Sequence, residues 1–156
     1  MSTHTQPAHT QPLAVRRAAP PGTLMVGLGA FAAYHLALAL FMAVAPREFF
    51  TDVGPFGTLN THYIRDTATF NAAIGAALLV AVRRPSWRVP VLALTTLQFA
   101  LHSLNHLIDI GRAHPAWNGY FDFFSLAAAT LVLAWLLRVA LLEEGTTVHS
   151  PSQGAP

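Results

Sequence analysis

Two histidines, an asparagine and an aspartate interrupt one oily stretch of the chain: Leu101-His102-Ser103-Leu104-Asn105-His106-Leu107-Ile108-Asp109. On a helix, residues three and four apart share a face. His102, His106 and Asp109 therefore line one stripe, with Asn105 beside it. Two imidazoles one turn apart plus a carboxylate form a donor set for Zn²⁺, Fe²⁺ or Cu²⁺. His102, His106 and Asp109 are the expected metal ligands, with Asp66 an alternative to Asp109 and with Asn105 and Arg65 in support.

A second stripe of the same spacing holds His62, Arg65, Asp66 and Thr69, and Asn71 lies off it, one turn deeper. His35 and Tyr34 sit in a third apolar segment, and Asp122 precedes Ser125 by one turn in a fourth. His62, Arg65, Asp66, Asn71, Asn105 and Asp122 are the residues expected to bind a ligand. His35 reads as a core histidine bonded to Asn71 or to a carbonyl. The formal count is one arginine against Asp66, Asp109 and Asp122. Two protons or one divalent cation would balance it.

The elements that must carry these residues are apolar. Hydrophobic residues make up 53% of the 156 residues and charged residues only 10%, against about 25% charged in a soluble domain. Too few charges remain to clothe a water-facing surface, so the expected partner is the lipid bilayer. Four apolar segments, at about 23–45, 62–82, 89–110 and 120–142, each approach the roughly 20 residues that cross a bilayer as a helix. Helices satisfy their own backbone in lipid. The expected fold is all-α, a four-helix transmembrane bundle over residues 22–143. The polar, proline-rich residues 1–21, with the repeated His4-Thr5-Gln6-Pro7 and His9-Thr10-Gln11-Pro12, and residues 144–156 read as disordered tails.

Arginine placement gives the orientation. Arg16, Arg17, Arg83, Arg84, Arg88 and Arg138 flank one end of the segments; only Arg47 and Arg112 lie in the other loops. Positive residues favour the cytoplasm, so both termini are expected there. The polar positions then gather in the outward halves of their helices. Arg16-Arg17 followed by an apolar run and Ala43-Val44-Ala45 imitates a cleavable signal peptide, but the run is longer than the roughly 7–15 residues of such a core. All nine basic residues are arginine and alanine is abundant, a composition that points to a GC-rich bacterium and so to a multi-pass protein of its plasma (inner) membrane. The small net charge of +2 argues against nucleic acid as a partner.

Cysteine is absent, which excludes disulfides, thiolate metal sites, Fe–S clusters, cysteine nucleophiles and attached c-type haem. A haem held between His35 and His102 is not expected either. No phosphate-binding glycine loop, nucleophile elbow or HExxH is present. Three readings of the polar residues stay open: a divalent metal site, a metal-free pocket for a small polar ligand or a proton relay, and a structural layer inside an accessory subunit of a larger membrane complex. Small residues on three of the segments, among them Gly27, Gly29, Gly75 and Ala127 to Ala129, allow close helix approach, within one chain or in a homo-oligomer. An ionisable group at mid-membrane costs about 2.5–3.5 kcal/mol on insertion scales, so such residues should face one another or water.

The four-segment layout over 23–142, with His62-Tyr63-Ile64-Arg65-Asp66 opening the second segment and His102 to Asp109 closing the third, resembles small bacterial membrane proteins of the DoxX-like kind. The resemblance implies a membrane redox or accessory role and assigns no catalytic residue.

Overall fold

The computed structural model describes residues 22–148, and the expected N-terminal tail and most of the C-terminal one lie outside them. The described residues are helical and contain no strand. In order they form α1 (Thr23–Val44), α2 (Pro46–Asp52), α3 (Thr61–Arg83), a single 3-10 turn (Pro85–Trp87), α4 (Arg88–Ile108) and α5 (Ala116–Val148).

Local chemistry explains the boundaries. Pro46 disfavours helical geometry in the residue before it, and Ala45 breaks α1 from α2 with φ −132°. The Asn60 side chain caps α3 by accepting a bond from the Tyr63 N–H at 3.1 Å, satisfying one of the free donors at a helix start. Pro85 separates α3 from α4. Asp109 leaves helical geometry at the end of α4, two residues before Gly111.

Two boundaries differ from the sequence expectation. α2 occupies part of what reads as a loop, because Pro46 at its first position presets a helical φ. α5 starts four residues before the expected segment and runs to Val148, six past its end. Its far end is held by a contact that sequence does not display, Arg88 to Glu143 at 3.3 Å.

Among the described residues, three helical stretches are long and apolar enough to cross a membrane: Thr23–Val44, Pro85–Ile108 and Ala116–Gly145. α3 has comparable length, 23 residues, but His62, Arg65, Asp66, Thr67, Thr69 and Asn71 crowd its first half. Large apolar side chains turn outward along these helices, including Val26, Leu40, Phe70, Leu94, Phe124 and Leu131. Soluble monomers rarely show continuous apolar surface on that scale, and lipid is the solvent that suits it.

The helices pack as two pairs, α1 on α3 and α4 on α5. At Gly75 of α3 an added Cβ would come within 2.7 Å of Leu36 and 3.2 Å of the Ala32 carbonyl oxygen, so α1 and α3 approach closely because that side chain is absent. The main core joins all four long helices: Leu24, Leu28 and Ala32 of α1, Leu78 and Ala81 of α3, Val91, Leu92 and Phe99 of α4, and Leu133, Leu136 and Ala140 of α5. These residues lie toward the start of α1 and α4 and toward the end of α3 and α5. One end of the bundle is therefore sealed by hydrocarbon. Arg88 braces it, donating also to the Ala81 carbonyl at 3.4 Å and to the Met25 sulfur at 3.6 Å. The opposite end carries the polar residues.

Candidate functional site

The two histidines singled out by their spacing meet. Their Nε2 atoms are 3.1 Å apart, with ring centroids separated by 4.8 Å. Both are on α4, where the i, i+4 relation brings the two rings together with their planes tilted by 53°. The other nitrogen of His106, Nδ1, faces Asp122 of α5 at 3.8 Å, and these two side chains are only 14% and 16% exposed. Neither His106 Nδ1 nor Asp122 Oδ2 has a hydrogen-bond partner. Their separation is longer than a hydrogen bond. The sequence places Asp122 at the right height but does not say that His106 is its partner.

Asp122 reaches this position because α5 starts close against the end of α4. Gly119 is buried, and a Cβ there would run into the Ile110 carbonyl oxygen. Deeper in the bundle, Ser103 and Thr130 bring their hydroxyls within 3.3 Å and tie the same two helices together. Phe56, from the segment after α2, lays its ring edge-on to His106 with centroids 5.1 Å apart. Phe56 comes from outside the four long helices, and its contact with His106 is visible only in three dimensions.

Asp109 does not join the histidines in this arrangement. Its carboxylate pairs with Arg112 at 3.2 Å. Among the described residues, no three His, Asp or Glu side chains converge as a group able to hold a metal ion. Asn105 is exposed on α4.

The remaining polar residues belong to the α1–α3 pair. His35 is 1% exposed, and its Nδ1 lies 2.9 Å from Asn71 Oδ1, as its expected role as a core histidine requires. The Asn71 amide nitrogen donates to the Thr67 carbonyl at 3.1 Å, so the amide oxygen is left to accept from His35. That assigns the His35 proton to Nδ1. Phe99 and Tyr34 pack edge-on against the His35 ring, with centroids 5.6 and 5.4 Å away. Phe99 thereby carries the α1–α3 pair onto α4.

Arg65 donates to the Ala43 carbonyl at 3.3 Å. It satisfies a free acceptor at the end of α1 and does not pair with Asp66, its neighbour in sequence. Asp66 pairs instead with His62 on its own helix at 3.4 Å, both well exposed. The single layer that the stripes suggest thus resolves into three parts at one end of the bundle. These are a His102–His106–Asp122 cluster on α4 and α5, a His35–Asn71 bond between α1 and α3, and a rim of exposed His62, Asp66 and Arg112 with the half-buried Asp109.

Comparison of the chain with protein-family models, curated proteins and solved structures gave no match.

Proposed function

We propose that this is a multi-pass protein of a bacterial inner membrane whose His102–His106 pair binds a divalent transition metal at the extracytoplasmic end of a four-helix bundle. In this reading α3 is the fourth span. Both termini lie in the cytoplasm, because Arg83, Arg84, Arg88 and Arg138 all flank the sealed apolar end.

One observation carries the metal reading: two Nε2 atoms 3.1 Å apart, with a carboxylate behind the far nitrogen of one ring. An ion about 2.0–2.1 Å from each nitrogen bridges that separation. A carboxylate on the second nitrogen of a metal-bound histidine holds its tautomer and raises its basicity. Asp122 is that residue here. His106 then keeps its proton on Nδ1 and presents a lone pair at Nε2. The protein supplies two nitrogen donors in this arrangement, and the further positions belong to water or to a small polar ligand. An open coordination shell suits exchange of ligands more than purely structural metal binding.

The test is metal analysis of the detergent-purified protein and of His102→Ala and His106→Ala, each checked for folding by thermal melting. A stoichiometric transition metal in the wild type, lost in both variants, is the expected result. Protein that melts normally but carries no metal, and takes up none from Zn²⁺, Fe²⁺ or Cu²⁺, would overturn the metal reading. The pair would then be assigned to a metal-free polar ligand.

A further inference from the structure

The cation reading leaves one exposed ion pair to explain. Asp109 follows His106 by three residues, on the same side of α4, yet its carboxylate is turned to Arg112 Nη1 at 3.2 Å. We propose that Arg112 is a built-in competitor for the cation. It holds Asp109 away from the His102–His106 pair, and an arriving divalent ion draws that carboxylate in as a third protein ligand. This inference rests on the metal reading above.

Three observations support the exchange. Asp109 sits at the C-terminal boundary of α4, with φ −101° and ψ 14°, where the chain has left the helix and its side chain is not locked into a helical row. Arg112 is 78% exposed, so its release returns a guanidinium to water at little cost. Exposed pairs of this kind are weak. The charges also favour the exchange. With Arg112 on Asp109, the Asp122 carboxylate has no fixed cation among the described residues around it. With a divalent ion on the histidines and Asp109, the two carboxylates and the ion sum to zero. A negative side chain at a helix C-terminus is itself unfavourably placed against the helix dipole, and either cation offsets that. The expected donor set becomes two imidazoles and a carboxylate with room for exchangeable ligands, a combination suited to Zn²⁺ or Fe²⁺.

The experiment is a titration of the full-length detergent-solubilised protein with Zn²⁺ and with Co²⁺, the latter read by its visible absorption. It uses wild type, Arg112→Gln, Asp109→Asn and the double variant. Asp109→Asn should weaken binding by about tenfold or more, the loss typical when a group supporting a metal site is removed, and should alter the Co²⁺ spectrum. Arg112→Gln should tighten binding by about two- to fivefold, the worth of an exposed ion pair. That gain should vanish when Asp109 is already asparagine. A gain that persists in the double variant would show simple charge repulsion by Arg112 and would overturn the competition. An Asp109→Asn variant that binds as tightly as wild type would overturn it too, while leaving the two-histidine site standing. Failure of the wild type to bind either ion would remove both proposals together.

Discussion

His106 is the residue on which the site turns, because each of its nitrogens faces a polar side chain. Nε2 faces His102 at 3.1 Å and Nδ1 faces Asp122 at 3.8 Å. Asp122→Asn keeps the shape and removes the charge. The expected outcome is a metal affinity lower by about 10- to 100-fold, measured by competition against a chelator, with an unchanged melting profile. The same assay should show affinity falling as pH drops through the imidazole range. Protons compete with the metal for neutral imidazole, and binding releases them. The sign is fixed: acid weakens binding. A site without imidazole ligands would not respond in that range. His35, by contrast, is buried and bound to Asn71. Bonds of this type between membrane helices average about 0.6 kcal/mol, enough to set a packing register and too little to dominate stability.

At the scale of elements, the joint between α4 and α5 matters most. The two helices bring His106 and Asp122 together only because Gly119 lets the first turn of α5 lie against the Ile110 carbonyl. Gly119→Ala should push that turn away, destabilise the protein by about 1–3 kcal/mol as overpacking does, and weaken metal binding by displacing Asp122. Gly29→Ala is the matched comparison, since an added Cβ there meets nothing within 4 Å. Melting temperature and Zn²⁺ affinity of the two variants, measured side by side, check the claim. Equal behaviour would mean that the α4–α5 joint does not position the site. α2 and the segment after it also belong to this scale. They bring Phe56 onto the His106 ring, so the histidine is covered on one side by an aromatic edge and not by a polar group.

At the scale of the molecule, one end is closed and the other polar. The core of α1, α3, α4 and α5 fills the closed end, where Arg88 links to Ala81, Met25 and Glu143. Helices that alternate in direction deliver all four polar segments to the same opposite end. The natural absence of cysteine makes the orientation directly measurable. Single cysteines at Thr58 and His114 should react with a membrane-impermeant maleimide in intact cells. A cysteine at Arg84 should react only after the membrane is opened. The reverse pattern would place the termini outside and the site in the cytoplasm.

What sequence by itself determined is the part set by periodicity and solvent. Apolar runs of helical length with few charges specify helices that belong in lipid, and the i, i+4 spacing of His102 and His106 puts both side chains on one face of a helix. Only the tertiary structure decided which residues from different helices become partners. Asp122 faces His106, Asn71 faces His35, and Arg65 turns to the end of α1. Those pairings depend on the rotation and closeness of each helix against its neighbour, which are fixed by side chains as small as Gly75 and Gly119. Hydrophobic periodicity reports that a face is buried, but it carries no record of the face opposite.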